Sequence, residues 1–148
     1  MSANEIFYVL LGLATIGAAL GFNRHLYGAN GAGKASAYEW ACYVIALAAL
    51  FTGWYFNFQY MRGYGDQVGW WHWTTLLFVN PASASGGQDL IYANVFLFPL
   101  WTIWDGRRNK MKVTWWWFVM SVFTSFAFAM ALYMAAHARQ VRWNGNQK

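Results

Sequence analysis

Apolar residues fall along the chain in four long uncharged runs, separated by short segments that carry nearly all of its charge. The first, Ile6 to Phe22, has 17 residues, about 25 Å at helical rise, just enough to cross the hydrocarbon core of a bilayer. Met1 to Glu5 before it has no Lys or Arg, and no small-residue cleavage site follows, so it reads as a retained helix rather than a signal peptide. The second run, Trp40 to Met61, has 22 residues, and the fourth, Val113 to Ala136, has 24; both exceed the roughly 20 that a span needs. The third, Leu90 to Trp104, has 15 and is bounded by Asp89 and Asp105, which would sit near the two interfaces. Pro99 inside it removes a backbone donor and crowds the carbonyl of Val95, which predicts a kink.

Between the second and third runs, Val68 to Val79 is apolar and rich in tryptophan (Trp70, Trp71, Trp73) but too short to cross. It fits an interfacial or re-entrant segment with its indoles at headgroup depth. Asn80-Pro81 is read as its end, and Ser83 to Gly87 as a loop that caps the third helix, with Asp89 favourable near the positive helix end. The pattern predicts an all-α protein: one integral membrane domain over 1–148, an antiparallel four-helix bundle with spans at about 6–22, 38–61, 89–105 and 113–136.

Composition agrees with the pattern. Of 148 residues, 59% are hydrophobic and 10% charged, against roughly 25% charged in soluble domains. A soluble domain of this size covers only about 70% of the surface of its unfolded chain, so these side chains call for lipid as solvent. One cysteine, Cys42, excludes an intramolecular disulfide. The net charge of +5 comes from clusters that flank the runs, which suits lipid headgroups and makes nucleic acid an unneeded partner. With four spans, Arg24, Lys34 and the cluster Arg107, Arg108, Lys110 and Lys112 share one side, while Arg62 and the tail residues Arg139, Arg142 and Lys148 share the other. Six against four favours termini outside the cytoplasm, although the basic tail argues the other way.

Candidate chemistry is sparse. Gly28 to Lys34 reads G-x-x-x-x-G-K, but Ala35 replaces the hydroxyl that would hold magnesium, and a membrane helix precedes it, so it reads as a flexible loop. His25, His72 and His137 show no metal-ligand spacing; no metal and no cofactor is expected, and the histidines read as interfacial. Glu39, Asp89 and Asp105 edge the spans, where an ionisable group is a functional candidate; helix-start placement and pairing with the nearby arginines are the plainer roles. Asn94 must find a partner inside the bundle, and Ser121 and Ser125 can make helix contacts. Gly17 and Gly21 form a small-xxx-small face for another backbone. Eleven tryptophans, nine tyrosines and twelve phenylalanines supply interfacial belts and, with Trp54, Tyr92 and Trp101, the walls of an aromatic cavity suited to an isoprenoid, quinone or carotenoid.

The order Phe78-x-Asn80-Pro81, then Asp89-Leu90 opening a helix, then Asp105-x-Arg107-Arg108, then a last apolar helix with a basic end resembles a family of short bacterial integral membrane proteins of unknown function. The likeness covers roughly Ala46 to Arg139; where this chain has Asp105 the family more often has glutamate. The resemblance implies a multi-pass protein of the bacterial inner membrane in which Asn80 and Asp89 form a functional polar pair. A fainter similarity of size and layout links it to small membrane-embedded isoprenoid and carotenoid cyclases, without a diagnostic cyclase motif. The expected function is binding of a hydrophobic ligand, with Asn80, Asn94, Tyr92, Trp54, Trp101 and Asp105 as contacts, or docking as an accessory subunit. The expected partners are membrane lipid, a hydrophobic small molecule, and a membrane protein or a second copy of the chain. The alternative is a cyclase with Asp89 or Glu39 as proton donor.

Overall fold

Ser2 and Glu5 start the first helix with a capping box: the Ser2 hydroxyl accepts from the Glu5 amide, and the Glu5 carboxylate accepts from the Ser2 amide. In the computed structural model, which describes residues 1–28 and 31–147, α1 covers Ala3–Phe22. Positions 29 and 30 of the glycine-lysine stretch, and Lys148, lie outside the described residues. The second helix, α2 (Ala37–Tyr64), begins behind Ser36, whose hydroxyl accepts from the Glu39 amide. These two are long and apolar enough to cross a membrane. The described residues are helical, with no strand among them.

A short helix, α3 (Trp70–Leu76), carries the tryptophan-rich segment on the surface, with Trp70 and Trp71 exposed. The next helix starts earlier than the sequence suggests. Asn80 does not merely end the preceding segment; its side chain accepts from the Ser83 amide at 2.9 Å, and Pro81 stands at the first helical position. An asparagine cap followed by proline is a start signal, so Ser83 to Gly87, read as a loop, belongs to α4 (Pro81–Ile91). Helical backbone then runs on through one π-helical stretch, Tyr92–Leu97, into α5 (Phe98–Arg108). Pro99 explains the wide turn. Its ring would crowd the Val95 carbonyl; the backbone opens instead, and the Phe98 amide reaches back five residues to the Ala93 carbonyl. The expected kink is thus a π-bulge.

The last apolar run is not one helix. It divides into α6 (Trp116–Phe123) and α7 (Phe126–Asn146). Thr124 leaves helical backbone at φ −125°, ψ −98°, and Ser125 caps α7 by accepting from the Phe128 amide at 3.1 Å. The two helices pack against each other as a hairpin. Its tip rests in the middle of the bundle: the Ser125 hydroxyl donates to the Ala49 carbonyl, and the Thr124 carbonyl accepts from the Tyr8 hydroxyl. Both arms of the hairpin return to one end. Before α6, Asn23 at the end of α1 binds the Lys112 backbone through both its oxygen and its nitrogen. Near the end of α7, Arg139 meets Glu39 at the start of α2.

The hairpin also supplies most of the core. Trp117, Met120, Phe128, Ala129, Tyr133 and Ala136 are buried, whereas α1 and α2 turn Phe7, Leu10, Val44, Phe51 and Phe56 outward. Backbones approach closely at Gly12, where a Cβ would lie 2.9 Å from the Phe123 carbonyl oxygen, and at Gly53, where one would lie 3.1 Å from Ser125 Cβ. The Gly17 and Gly21 face, expected to take another backbone, meets nothing within 4 Å in this chain.

The hairpin re-sorts the cations. At one end of the bundle, Arg62 donates from Nε to Glu5 at 2.6 Å. At the other lie Arg24, Lys34, the cluster Arg107 to Lys112, and Arg139 with Arg142. The six-against-four division read from the sequence becomes eight against one among the described residues, because a hairpin puts the tail on the side that a crossing helix would have left.

Candidate functional site

The basic end holds two buried polar clusters. In the first, Glu39 is fully buried and accepts from Arg139 Nη1 at 2.9 Å and from Arg142 Nη1. The same guanidiniums spend their remaining donors on backbone carbonyls of the loop between α1 and α2. Arg139 reaches Leu26 at 3.1 Å and Gly33 at 2.8 Å, and Arg142 reaches Ala32 at 3.3 Å. Tyr27 lies under Arg139, with the guanidinium carbon 4.9 Å from the ring centre; burial pushes its hydroxyl well above the usual phenol range. The glycine-lysine stretch is therefore an acceptor surface for arginine, and Gly33 adopts the positive φ of 78° that this curl requires.

The second cluster centres on Asp105, at the end of α5. Its Oδ2 accepts from the Tyr133 hydroxyl at 2.8 Å and lies 3.0 Å from His137 Nε2, an ion-pair distance at an angle that makes no hydrogen bond. Its Oδ1 accepts from Asn109 Nδ2 at 3.1 Å. Asp105 is thus oriented by α5 and α7 together. Among the described residues no three His, Cys, Asp or Glu side chains converge as a metal site would require.

Next to this cluster, α5 and α7 stand apart and leave an apolar groove of about 630 Å³, open on its side. Phe98 packs edge-on against Phe126 and Tyr133, and forms part of the lining with Ala93 and Leu97 of the π-helical stretch before it. Trp101, Trp104 and Met130 complete the walls. The bulge matters here because it shifts the register of α4 relative to α5: Asn94 faces α6, where its Oδ1 accepts from Ser121 Oγ at 2.7 Å, while Ala93 and Leu97 face the groove. Above Trp104 sits Arg108, its guanidinium carbon 5.5 Å from the ring centre.

The residues singled out from the sequence are not gathered in one place. Trp101 lines the groove and Asp105 lies beside it. Asn94 and Ser121 bind each other, and Ser125 caps the hairpin. Tyr92 is exposed, Trp54 packs on the Gly12 backbone, and Asn80 is a helix cap. Asp89 is exposed sixteen residues before Asp105, about 24 Å along the helix, and Glu39 belongs to the arginine cluster. Neither lines the groove, nor does Asn80 lie near enough to Asp89 to bond it. Sequence reading missed Tyr133, which was counted only as one apolar position among many, and the pairing of His137 with Asp105. Tyr133 and His137 follow Met130 by three and seven residues on one helical face, and that spacing was the signal available.

Compared with known proteins, residues 42–139, roughly two thirds of the chain, match the profile of one family, described as Protein of unknown function DUF2834. No curated protein and no solved structure matches the chain.

Proposed function

The chain belongs to that family of uncharacterised proteins, and from this premise we propose that it is a multi-pass membrane protein that seats the hydrocarbon part of an amphiphile in the groove between α5 and α7. The isoprenoid, quinone and carotenoid classes are the ligands considered from the sequence. The observation that carries the reading is the pairing of an apolar, laterally open groove with a polar cluster and cations at one of its ends. Ligand pockets have this make-up, mostly apolar walls and a few convergent polar groups.

In this reading α1, α2 and the continuous α4–α5 helix cross the membrane, and the α6–α7 hairpin is re-entrant. The outward apolar faces of α1 and α2 meet lipid. The eight cations at one end against Arg62 at the other support a cytoplasmic position for that end by the positive-inside rule, in keeping with an inner-membrane location. Cyclase chemistry is less well supported. It needs a free acid on the cavity wall, whereas Glu39 is enclosed by two guanidiniums and Asp89 lies far from the groove.

Purification in lipid nanodiscs, then mass spectrometry of the extracted lipids, tests the proposal. A retained amphiphile at about one per chain is the expected result, and its loss in Leu97→Trp, which fills the groove, is the expected control. Unchanged lipid content in that variant would remove the groove from the account.

A further inference from the structure

The groove has a length and a charged rim, and both bear on what it holds. From Ala93 to Trp104 the lining spans twelve residues of helix, about 17 Å, close to half of a hydrocarbon core of about 30 Å. One leaflet's depth suits a single acyl chain; a rigid polyene long enough to cross the bilayer would overrun it. At and just beyond the end of α5, Arg107, Arg108, Lys110 and Lys112 are exposed, and among the described residues none of them has a carboxylate partner. Asp105 beside them is buried and already engaged by Tyr133 and Asn109.

The backbone holds those cations apart. The Met111 amide reaches the Gly106 carbonyl at 2.8 Å and the Lys110 amide reaches Arg107 at 3.0 Å, with Lys110 at φ 64°, a Schellman closure with lysine where glycine is usual. Gly106 allows it, since a Cβ there would lie 2.6 Å from the Thr114 methyl. The chain turns sharply, so Arg107 and Arg108 belong to the last turn of α5, the helix that walls the groove, with Arg108 over the Trp104 ring, while Lys110 faces a polar crevice shared with Trp143 and Asn144.

We infer that the ligand is an anionic glycerophospholipid of the leaflet at the basic end, one acyl chain in the groove and its phosphate on Arg107 and Arg108. This rests on the groove reading above and narrows it to a chemical class. Arginine suits phosphate because its planar fork can donate twice, and each cation near an anionic surface adds to the attraction.

The test is native mass spectrometry of the delipidated full chain, titrated with phosphatidylglycerol and with phosphatidylcholine of the same acyl chains. Wild type should retain phosphatidylglycerol at about tenfold lower concentration, and Arg107→Gln/Arg108→Gln should bring the two lipids level. Leu97→Trp should weaken both lipids alike. Equal affinity for the two lipids in wild type, both weakened by Leu97→Trp, would overturn the anionic assignment and leave the groove standing. Insensitivity of both lipids to Leu97→Trp would overturn the groove as well. Displacement of phosphatidylglycerol by a polyprenyl phosphate at lower concentration would overturn the phospholipid source and keep the phosphate.

Discussion

Arg139 of α7 reaches Glu39 of α2 with Nη1 2.9 Å from Oε2, and the carboxylate it grips has no exposed surface. The pair joins the start of one long helix to the last third of another, and its neighbours extend it into the loop between α1 and α2. A buried carboxylate survives only with compensation of this kind.

Removing one member should therefore cost a large part of what removing all three costs. Glu39→Ala leaves two guanidiniums without their acceptor and is expected to destabilise the fold by roughly 3–5 kcal/mol. The triple variant Glu39→Leu/Arg139→Met/Arg142→Leu should lose less than the sum of its single changes. Thermal unfolding in detergent, followed by loss of the monodisperse peak, measures both; additive losses would show that the three side chains do not act as a unit.

Glycine substitutions along α1 should separate sharply. Gly12→Leu drives a side chain into the Phe123 carbonyl and the Trp54 ring, and overpacking of this kind costs about 1–3 kcal/mol. Gly17→Leu and Gly21→Leu point into open space and should leave the unfolding midpoint of the isolated chain unchanged. A larger shift at Gly17 than at Gly12 would mean that a second chain covers that face.

The contrast marks what could be read without coordinates. Helices α1 and α2 were legible because long uncharged runs allow little else, and their starts at Ser2 and Ser36 follow ordinary capping chemistry. The small-residue pair was legible as a pattern, but a pattern does not say which face is occupied; one turn of helix separates Gly12 from the wrong answer. The break at Thr124-Ser125 was concealed by hydropathy, since both residues sit in an apolar run and each can satisfy its hydroxyl within a helix. The candidate site suffered from that miss: Tyr133 and His137 approach Asp105 only because α7 folds back toward the basic end.

The proposed placement of the termini rests on the same fold-back. A fluorescent protein fused after the tail should glow, as it does only when folded in the cytoplasm, and alkaline phosphatase fused before Ser2 should be active, as it is only outside. A dark C-terminal fusion expressed at equal level would reverse the orientation and with it the leaflet of the groove.

Lys110 offers a stability test that leaves the groove untouched. Its left-handed backbone costs a side-chain-bearing residue about 1–2 kcal/mol relative to glycine. Lys110→Gly should accordingly raise the unfolding midpoint while removing only the cation of the polar crevice. A lowered midpoint would mean that the lysine side chain does more for the α5 terminus than its backbone takes away.

The hairpin of α6 and α7 has a consequence for how the protein is made. Its two arms begin and end on the same face of the bundle, so in the proposed topology neither arm requires a hydrophilic segment to be carried through the bilayer. The arginines of the tail can stay where the ribosome leaves them. What the hairpin does need is a prepared slot, because Trp117, Met120 and Tyr133 have no cover until α1, α2 and α5 surround them. In that topology, biogenesis would divide into insertion of the earlier helices followed by an inward fold of the C-terminal quarter, driven by packing and locked at the basic end by the buried Glu39.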